Sequence, residues 1–323
     1  MLGINISKKL SVTPQMINKL RKKLALDELT ELKARKRDYK PEAVRKIFEN
    51  YNYSFGSIIL CFANLKGGVG KSTISTLLCK EASSLGFKTL FIDLDKQGNG
   101  SERLLKGTPL ENKDDLNCFY DFINKKVSFK ECIYEVSSHL HVLPSNLKNQ
   151  LVETVLSREP LNLELLIKSQ LEALDYDLVV IDTEPNLSRL NFVGILASDA
   201  LVIPVKTDKD SLSGLEAVND QVGMMKDQFP NKKLNIKSVV NFVDKRSKER
   251  LARTIEKIKE LKIDMLKTKI PVDSEFVNYQ LTGQLPLSSS GYRRGIEGLA
   301  LELLWPDQIE FDDATEKVRL IRH

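Results

Sequence analysis

The chain has 323 residues, of which 41% are hydrophobic and 29% are charged. No apolar run is long enough to cross a bilayer, so the composition argues against membrane-spanning helices and indicates a soluble chain of about two domains. The first residues, MLGINISKKLSV, lack the apolar centre of a secretory signal, and the four cysteines are widely spaced. We therefore expect a cytoplasmic protein whose cysteines have structural roles.

The net charge of +5 is unevenly distributed along the chain. Residues 1–50 contain 13 Lys/Arg and 6 Asp/Glu, whereas the rest of the chain contains 36 and 38. The basic excess therefore belongs to the N-terminal segment.

The first helical signals precede residue 30. Thr13 is a good N-cap, Pro14 suits the first helical position, and Ile17, Leu20 and Leu24 fall on one face. The residues that we expect on the opposite, exposed face are Gln15, Asn18, Lys19, Arg21 and Lys22.

A second helix is predicted in YKPEAVRKIFENY, where Val44, Ile47 and Phe48 share one face. The basic connection before it includes Arg35, Lys36 and Arg37, which fit a wing or loop against phosphates. The segment resembles MerR-like winged helix-turn-helix domains, which implies a DNA-binding domain over residues 1–52. The alternative is a helical arm that only extends a dimer interface.

From residue 57 onward, apolar strands alternate with helices. The predicted strands are SIILCFA, TLFIDLD, HLHVLPS, YDLVVIDT, ALVIPVKT, IKSVVNFV and TKIPV, and the intervening helices include STISTLLCKEASSLG and NLELLIKSQLEAL. Continuous apolar strands joined by crossover helices predict an α/β fold with a mostly parallel, doubly wound sheet. We place this domain at residues 53–323.

A phosphate-binding loop follows the first of these strands, in ANLKGGVGKST. Gly67, Gly68 and Gly70 allow backbone N–H groups to surround phosphate oxygens, Lys71 reaches the β- and γ-phosphates, and Ser72 suits Mg²⁺. The loop departs from the usual spacing, because Leu65 stands at the position of the first glycine.

Acidic residues end two further strands of the same sheet. Asp93 and Asp95 lie in FIDLDKQGN, and Asp182 follows four apolar residues in LVVID. A carboxylate after a buried strand is unfavourable unless it is paired with positive charge, and Mg²⁺ and the loop lysine are suitable partners. These residues therefore predict a Mg²⁺–nucleotide site at the carboxyl edge of the sheet.

The loop and the acidic motifs together resemble the ParA/MinD/Soj family of deviant-Walker-A ATPases, and most closely its partition branch. The matching segments are KGGVGKST, FIDLDKQGN, DYDLVVIDTEPNLSRL and ALVIPVKTDKDSLSGLEAV. The resemblance extends over most of the chain from residue 57 and implies ATP as the nucleotide, Mg²⁺ as the metal and a homodimer that encloses ATP.

Residue roles follow from the resemblance. Lys66 would reach the phosphates of the other subunit, Lys71 would bind them in its own, and Asp95 would orient the attacking water. Ser72, Asp93 and Asp182 would organise Mg²⁺. The expected nucleotide contacts are Gly67, Gly68, Val69, Gly70, Lys71, Ser72, Thr73, Asn241 and Pro271.

Two residues depart from the family pattern near this site. Lys96 and Glu184 each stand where the family usually has proline, and Glu184 adds negative charge beside the Mg²⁺ carboxylate. We expect these changes to affect turnover or the response to a partner more than nucleotide binding.

The first functional hypothesis is a DNA-segregation ATPase. By the resemblance, its ATP-bound dimer associates with the nucleoid by binding DNA without sequence preference, and a ParB-like centromere-binding protein stimulates hydrolysis. The basic residues available for this outside the N-terminal segment are Lys245, Arg246, Lys248, Arg250, Arg293 and Arg294. The alternative for these residues is a solvated helix face.

The second hypothesis is a sequence-specific autorepressor whose DNA affinity responds to nucleotide. Two further classes are disfavoured. The tail DDATEKVRLIRH has only Val318, Leu320 and Ile321 as apolar candidates for a MinD-like membrane anchor. An iron–sulfur reductase would need clustered cysteines, and Cys118 and Cys132 lie in no recognisable cluster motif.

Overall fold

A computed structural model describes residues 1–33, 36–158, 165–186, 188–230, 232–244, 246–312, 315 and 317–321. The helices, in chain order, are α1 (Gly3–Lys9), α2 (Pro14–Lys23), α3 (Pro41–Asn50), α4 (Lys71–Ser84), α5 (Asn99–Leu105), α6 (Phe119–Ile123), α7 (Val152–Arg158), α8 (Leu165–Glu172), α9 (Arg189–Ala197), α10 (Lys209–Gln228), α11 (Lys248–Glu260), α12 (Glu275–Thr282) and α13 (Gly291–Leu304).

The strands, in the same order, are β1 (Thr30–Lys33), β2 (Lys36–Tyr39), β3 (Ile58–Phe62), β4 (Thr89–Asp93), β5 (Tyr134–Ser137), β6 (Leu140–Leu143), β7 (Leu178–Asp182), β8 (Ala200–Val205), β9 (Asn235–Val243), β10 (Asp264–Pro271), β11 (Ile309–Asp312) and β12 (Lys317–Leu320). All seven predicted sheet strands are present. The sequence prediction missed β5 and the hairpin formed by β11 and β12, because these short segments lack continuous apolar runs.

The central sheet has eight strands in the order β10-β9-β8-β3-β7-β4-β6-β5. Every neighbouring pair is parallel except β5 and β6, which are antiparallel at one edge. The order of β3, β7 and β4 places the phosphate loop after β3 next to the acidic ends of β7 and β4. The mostly parallel α/β fold predicted from the sequence is confirmed.

The hydrophobic core lies on both faces of this sheet. Leu60 and Phe62 point to one face, while Cys61 and Ala63 belong to a separate cluster on the other, as alternating strand residues should. The first cluster includes residues of α4 and α13, and the second includes residues of α9 and α10. Both faces of the strands are covered, which explains why the strands read as continuous apolar runs.

The N-terminal segment contains α1, α2, an antiparallel hairpin of β1 and β2, and α3. The Thr13 hydroxyl accepts a hydrogen bond from the Met16 N–H, as the predicted cap requires. Val44, Ile47 and Phe48 are buried and belong to the same apolar cluster as α4. The segment therefore shares a core with the rest of the chain.

Two residues of α3, Arg45 and Phe48, connect this helix to the rest of the chain. The Arg45 guanidinium donates to Asp177 at 2.5 and 3.2 Å and to the Gly86 carbonyl oxygen at 3.2 Å. The Phe48 ring stacks on Trp305, with 5.2 Å between ring centroids. Both contacts join residues distant in sequence.

Two sequence expectations about exposed basic residues are wrong. Arg21 is buried, because it pairs with Asp27 and also donates to Asn18 at 3.1 Å. Arg293 is buried as well and pairs with Glu81 and Glu297. Gln15, Asn18, Lys19, Lys22 and Lys36 are exposed and Arg37 is half-buried, whereas Arg35 and Lys245 lie outside the described residues.

None of the helices in the described ranges combines the length and the apolar composition that a bilayer crossing requires. The tail segment considered as a membrane anchor forms strand β12 over Lys317–Leu320.

Candidate functional site

The loop between β3 and α4 has the backbone shape of a phosphate-binding loop. Gly70 caps α4 with φ of 95°, and a Cβ at that position would lie 2.4 Å from the Asn241 amide nitrogen. Gly68 also has a positive φ of 72°, and the space beside it and Gly67 is open. The loop therefore needs glycine and leaves room for a ligand at the N-terminus of α4.

Lys71 is the first residue of α4 and is only 7% exposed. Burial lowers the pKa of its ammonium group, and the nearby carboxylates of Asp182 and Asp95 oppose that shift. A buried lysine aimed at a group of carboxylates is positioned to bind phosphate together with a cation.

Asp182 and Asp93 lie opposite each other at the ends of β7 and β4. Burial, followed by the charge of Asp93, raises the pKa of the Asp182 carboxyl group, while Ser72 and Lys71 oppose the increase. Ser72 is close enough to Asp182 to influence its pKa, but neither carboxylate oxygen of Asp182 makes a hydrogen bond of standard geometry among the described residues. Two orphaned buried oxygens of this kind suit a cation or its bound water.

Asp93 differs from Asp182 because its oxygens are already occupied. One oxygen accepts from the Ser101 N–H at 2.8 Å and the Ser101 hydroxyl at 2.7 Å, and the other accepts from the Asp95 N–H at 3.1 Å. Burial raises the pKa of the Asp93 carboxyl group despite these donors. Asp93 therefore fixes the turn after β4, and its expected part in organising Mg²⁺, directly or through water, remains a prediction.

Asp95 is the third carboxylate at this edge. One of its oxygens accepts a 2.9 Å hydrogen bond from the Gln97 N–H. Its pKa is raised mainly by burial, and also by the charge of Glu184, while Gln97, Lys71 and Lys96 act in the opposite direction. The carboxylate is thus close to both Lys71 and the two residues that depart from the family pattern.

The donor set fits Mg²⁺. The described residues contain no group of three or more His, Cys, Asp or Glu side chains arranged for a metal. Mg²⁺ at phosphate sites usually has one or two protein ligands and takes its remaining ligands from water and phosphate. Ser72 and the unpartnered Asp182 carboxylate supply that arrangement beside Lys71.

Lys66 has different surroundings from Lys71. Its side chain is 42% exposed, and its ammonium group pairs with Asp210 on α10 at 2.8 Å. The Lys66 N–H donates to the Asn64 side chain, also at 2.8 Å. A Cβ at Gly214 would lie 2.6 Å from the Asn64 side-chain oxygen, so glycine lets α10 approach the loop closely.

The two residues expected near the base have different locations. Asn241 is buried and donates to the Val69 carbonyl oxygen at 2.8 Å, so it contacts the phosphate loop directly. Pro271 ends β10 and lies beside Gly291. Phe242, next to Asn241, has a positive φ of 56° and packs against Phe276 and Tyr292.

Sequence reasoning missed Asn64, Ser101, Asp210 and Gly214. Asn64 is fully buried and bridges the loop to β8 by donating to the Pro204 carbonyl oxygen at 2.8 Å. Asp210 and Gly214 lie in a segment that matches the family, but the match does not assign them a role, because that role depends on contacts with the distant phosphate loop.

Strand, glycine loop and helix, with a lysine at the helix start and buried carboxylates on neighbouring strands, define a P-loop nucleoside triphosphatase fold. The comparisons with known proteins are consistent with this class. A family model described as "AAA domain" matches residues 57–236.

The sporulation initiation inhibitor protein Soj of Bacillus subtilis is 31% identical over 219 residues, which cover 66% of this chain and 83% of Soj. A putative plasmid partition protein of Borrelia burgdorferi bound to AMPPNP superposes with a TM-score of 0.63 at 25% identity, covering 76% of this chain and 98% of that one. The chain belongs to the ParA/MinD family of P-loop proteins.

The fold alone is shared more widely. Cobyrinic acid a,c-diamide synthase of Mycobacterium smegmatis, with bound ADP and magnesium, gives a TM-score of 0.64 at 20% identity over 83% of this chain and 99% of that one. Function must therefore be argued from the site rather than from the fold.

Proposed function

We propose that this chain is a DNA-partition ATPase that binds ATP with Mg²⁺, pairs with a second copy through the nucleotide and binds DNA in that state. The observation that carries the proposal is the contrast between two lysines of one loop. Lys71 is buried among carboxylates, whereas Lys66 is exposed and held by a single ion pair to Asp210.

Within one subunit, the open backbone at Gly67 and Gly68 and the N-terminus of α4 receive the phosphates. Lys71 neutralises phosphate charge, and Ser72 and Asp182 hold Mg²⁺, which supplies further neutralisation when bound. Asp95, in the loop after β4, orients the attacking water. Catalysis of this kind depends on positioning and charge neutralisation, so slow intrinsic hydrolysis that a ParB-like partner accelerates is physically reasonable.

Between subunits, Lys66 is the residue that makes pairing depend on ATP. Two triphosphates that face each other repel, and a lysine from each partner offsets that repulsion. The Lys66–Asp210 ion pair must open for this to happen. Both side chains are exposed, so water already screens the pair and the exchange for phosphate contacts is feasible.

A basic groove supports the proposed DNA contact. It has a volume of 1180 Å³, and the described residues that line it include nine Lys or Arg and two Asp or Glu. Eight of the nine cations lie on α1, β10, α11, α13 and β12, for example Lys8, Lys248, Lys267, Arg294, Lys317 and Arg319, and the ninth, Arg246, precedes α11. Such a surface binds phosphate backbones without reading sequence.

The experiment that tests the proposal measures affinity for a random-sequence duplex without nucleotide, with ADP and with ATP–Mg²⁺ at one salt concentration. We expect ATP–Mg²⁺ to tighten binding at least about tenfold, because the paired chain presents two grooves. DNA affinity that is the same in all three states would contradict the proposed switch.

A sequence-specific autorepressor is the second candidate, and one observation favours it. Lys19 and Lys22 are exposed on α2, in the same N-terminal segment as the β1–β2 hairpin in which a wing was predicted. The matched variants are Lys19→Ala/Lys22→Ala and Lys267→Ala/Lys317→Ala. Loss of binding to the DNA upstream of its own gene in the first variant alone would support repression, whereas loss of random-sequence binding in the second would support partition.

A further inference from the structure

The loops that follow β4 and β7 are joined by the two residues that depart from the family pattern. The Lys96 ammonium group lies 3.2 Å from a Glu184 carboxylate oxygen, and the Lys96 N–H donates to the other oxygen at 3.3 Å. The Glu184 carboxylate therefore contacts both the backbone N–H and the side chain of Lys96, which is 88 positions away in the chain.

Glu184 is itself held in place from the other side. Its side chain is only 11% exposed and accepts a 2.6 Å hydrogen bond from the Asn186 amide. The buried Asn191 accepts from the Glu184 N–H at 3.2 Å and donates to its carbonyl oxygen at 2.9 Å. Glu184 is thus held in a fixed position, whereas a surface ion pair usually joins two mobile side chains.

Asp95 immediately precedes Lys96, and Lys96 is thus the link between Asp95 and the β7 loop. On the N-terminal side of Asp95, the Leu94 N–H donates to the Asp182 carbonyl oxygen at 2.9 Å. Residues 94 and 96 are therefore both attached to the β7 side of the site, with Asp95 between them. The position of the Asp95 carboxylate depends on both attachments.

We propose that the Lys96–Glu184 contact is a clamp between the two loops, and that Lys96 and Glu184 are positioning residues that hold Asp95 in its orientation toward the phosphate site. The inference rests on the proposed ATPase function for its effect on turnover. The clamp also neutralises Glu184, whose negative charge acts on the neighbouring Asp95 carboxylate.

The first test follows amide hydrogen exchange in the nucleotide-free protein, so it does not depend on activity. In Lys96→Ala, exchange at residues 95–98 and 183–186 should accelerate about tenfold relative to the unaltered chain. Lys237→Ala is the matched control, because it removes a 2.6 Å ion pair to Asp264 at the other edge of the sheet. Unchanged exchange at both loops in Lys96→Ala would overturn the clamp.

The second test separates kcat from KM for ATP hydrolysis. Lys96→Ala should lower kcat about tenfold, because displacement of a positioned group slows the reaction, while KM and nucleotide Kd stay within about twofold. Lys96→Arg should restore kcat. The double variant Lys96→Ala/Glu184→Gln should have a higher kcat than Lys96→Ala, because it lacks the unpaired charge of Glu184.

The outcomes distinguish the two proposals. No hydrolysis by the unaltered chain would overturn the ATPase function, and the exchange test would still decide whether the clamp exists. Hydrolysis by the unaltered chain with the same kcat in Lys96→Ala would overturn the positioning role alone. A lower kcat that Lys96→Arg fails to restore would also count against the ion pair.

Discussion

Charged residues are buried at the carboxyl edge of the sheet, where we propose that nucleotide binds (the nucleotide edge), but are largely exposed in the basic groove. At the nucleotide edge, Lys71, Asp93 and Asp182 are all buried and lie on or directly after regular elements. In the groove, Lys8, Lys248 and other lysines are exposed and come from several separate elements. Buried charges act at short range in a fixed geometry, whereas exposed charges are screened and tolerate substitution.

The largest expected difference between the two regions is their response to salt. With about six phosphate contacts, DNA affinity should fall about a thousandfold between about 50 and about 200 mM salt. The slope for Lys267→Ala/Lys317→Ala should be smaller by about two. ATP affinity should change far less over the same range. Filter binding and calorimetry at four salt concentrations would measure both, and equal slopes would remove the distinction between the regions.

Substitution of Lys71 should have the next largest effect, and only on the nucleotide edge. Lys71→Ala should weaken ATP binding about a hundredfold, or about 3 kcal/mol, because the phosphates lose a charged donor in a buried site. Lys248→Ala in the groove is the control and should leave ATP affinity unchanged. Calorimetric titration with a non-hydrolysable ATP analogue measures both. An equal loss in the two variants would contradict the distinction.

Removal of Arg45 should have a moderate effect on stability. Arg45→Ala should lower the free energy of unfolding by about 1–2 kcal/mol, because Asp177 loses a partly buried charged partner. Arg253→Ala removes an exposed pair with Glu249 and should cause no measurable change. Urea unfolding would measure both. If Arg45→Ala unfolds in two steps, the N-terminal segment is a separate cooperative unit.

A pH-dependent effect is expected from the buried carboxylate at the nucleotide edge. The folded-state pKa of Asp182 is raised above its unfolded value of about 4, so between these two values the folded chain binds more protons. Stability of the nucleotide-free protein should therefore fall as pH rises through that window. Asp182→Asn should remove this fall and raise Tm more at pH 8 than at pH 5 in the presence of EDTA. A variant that is less stable than the unaltered chain at pH 8 would contradict the charge assignment.

The sequence was most informative about residues at the ends of buried strands. The positions of Lys71, Asp93 and Asp182 could be predicted because covered strands read as apolar runs and parallel strands align their carboxyl ends. The same logic predicted the strands of the parallel sheet. It did not predict β11 and β12, whose residues are partly exposed.

The remaining contacts depend on residues that tertiary structure brings together. Arg21 was expected on an exposed helix face, but the chain after α2 turns back and places Asp27 against it. The same limit applies to Lys66 with Asp210 and to Lys96 with Glu184, which are 144 and 88 positions apart. Helical or strand periodicity carries no information about such pairs.

The most direct test of the account compares the association state of the unaltered chain and Lys66→Ala by sedimentation velocity, with ADP and with ATP–Mg²⁺. We expect that ATP–Mg²⁺ alone pairs the unaltered chain, and that Lys66→Ala still binds ATP but stays unpaired. Asp210→Asn should pair at least as readily as the unaltered chain, because Lys66 is released. Normal ATP-dependent pairing of Lys66→Ala would contradict the proposed contact across the dimer.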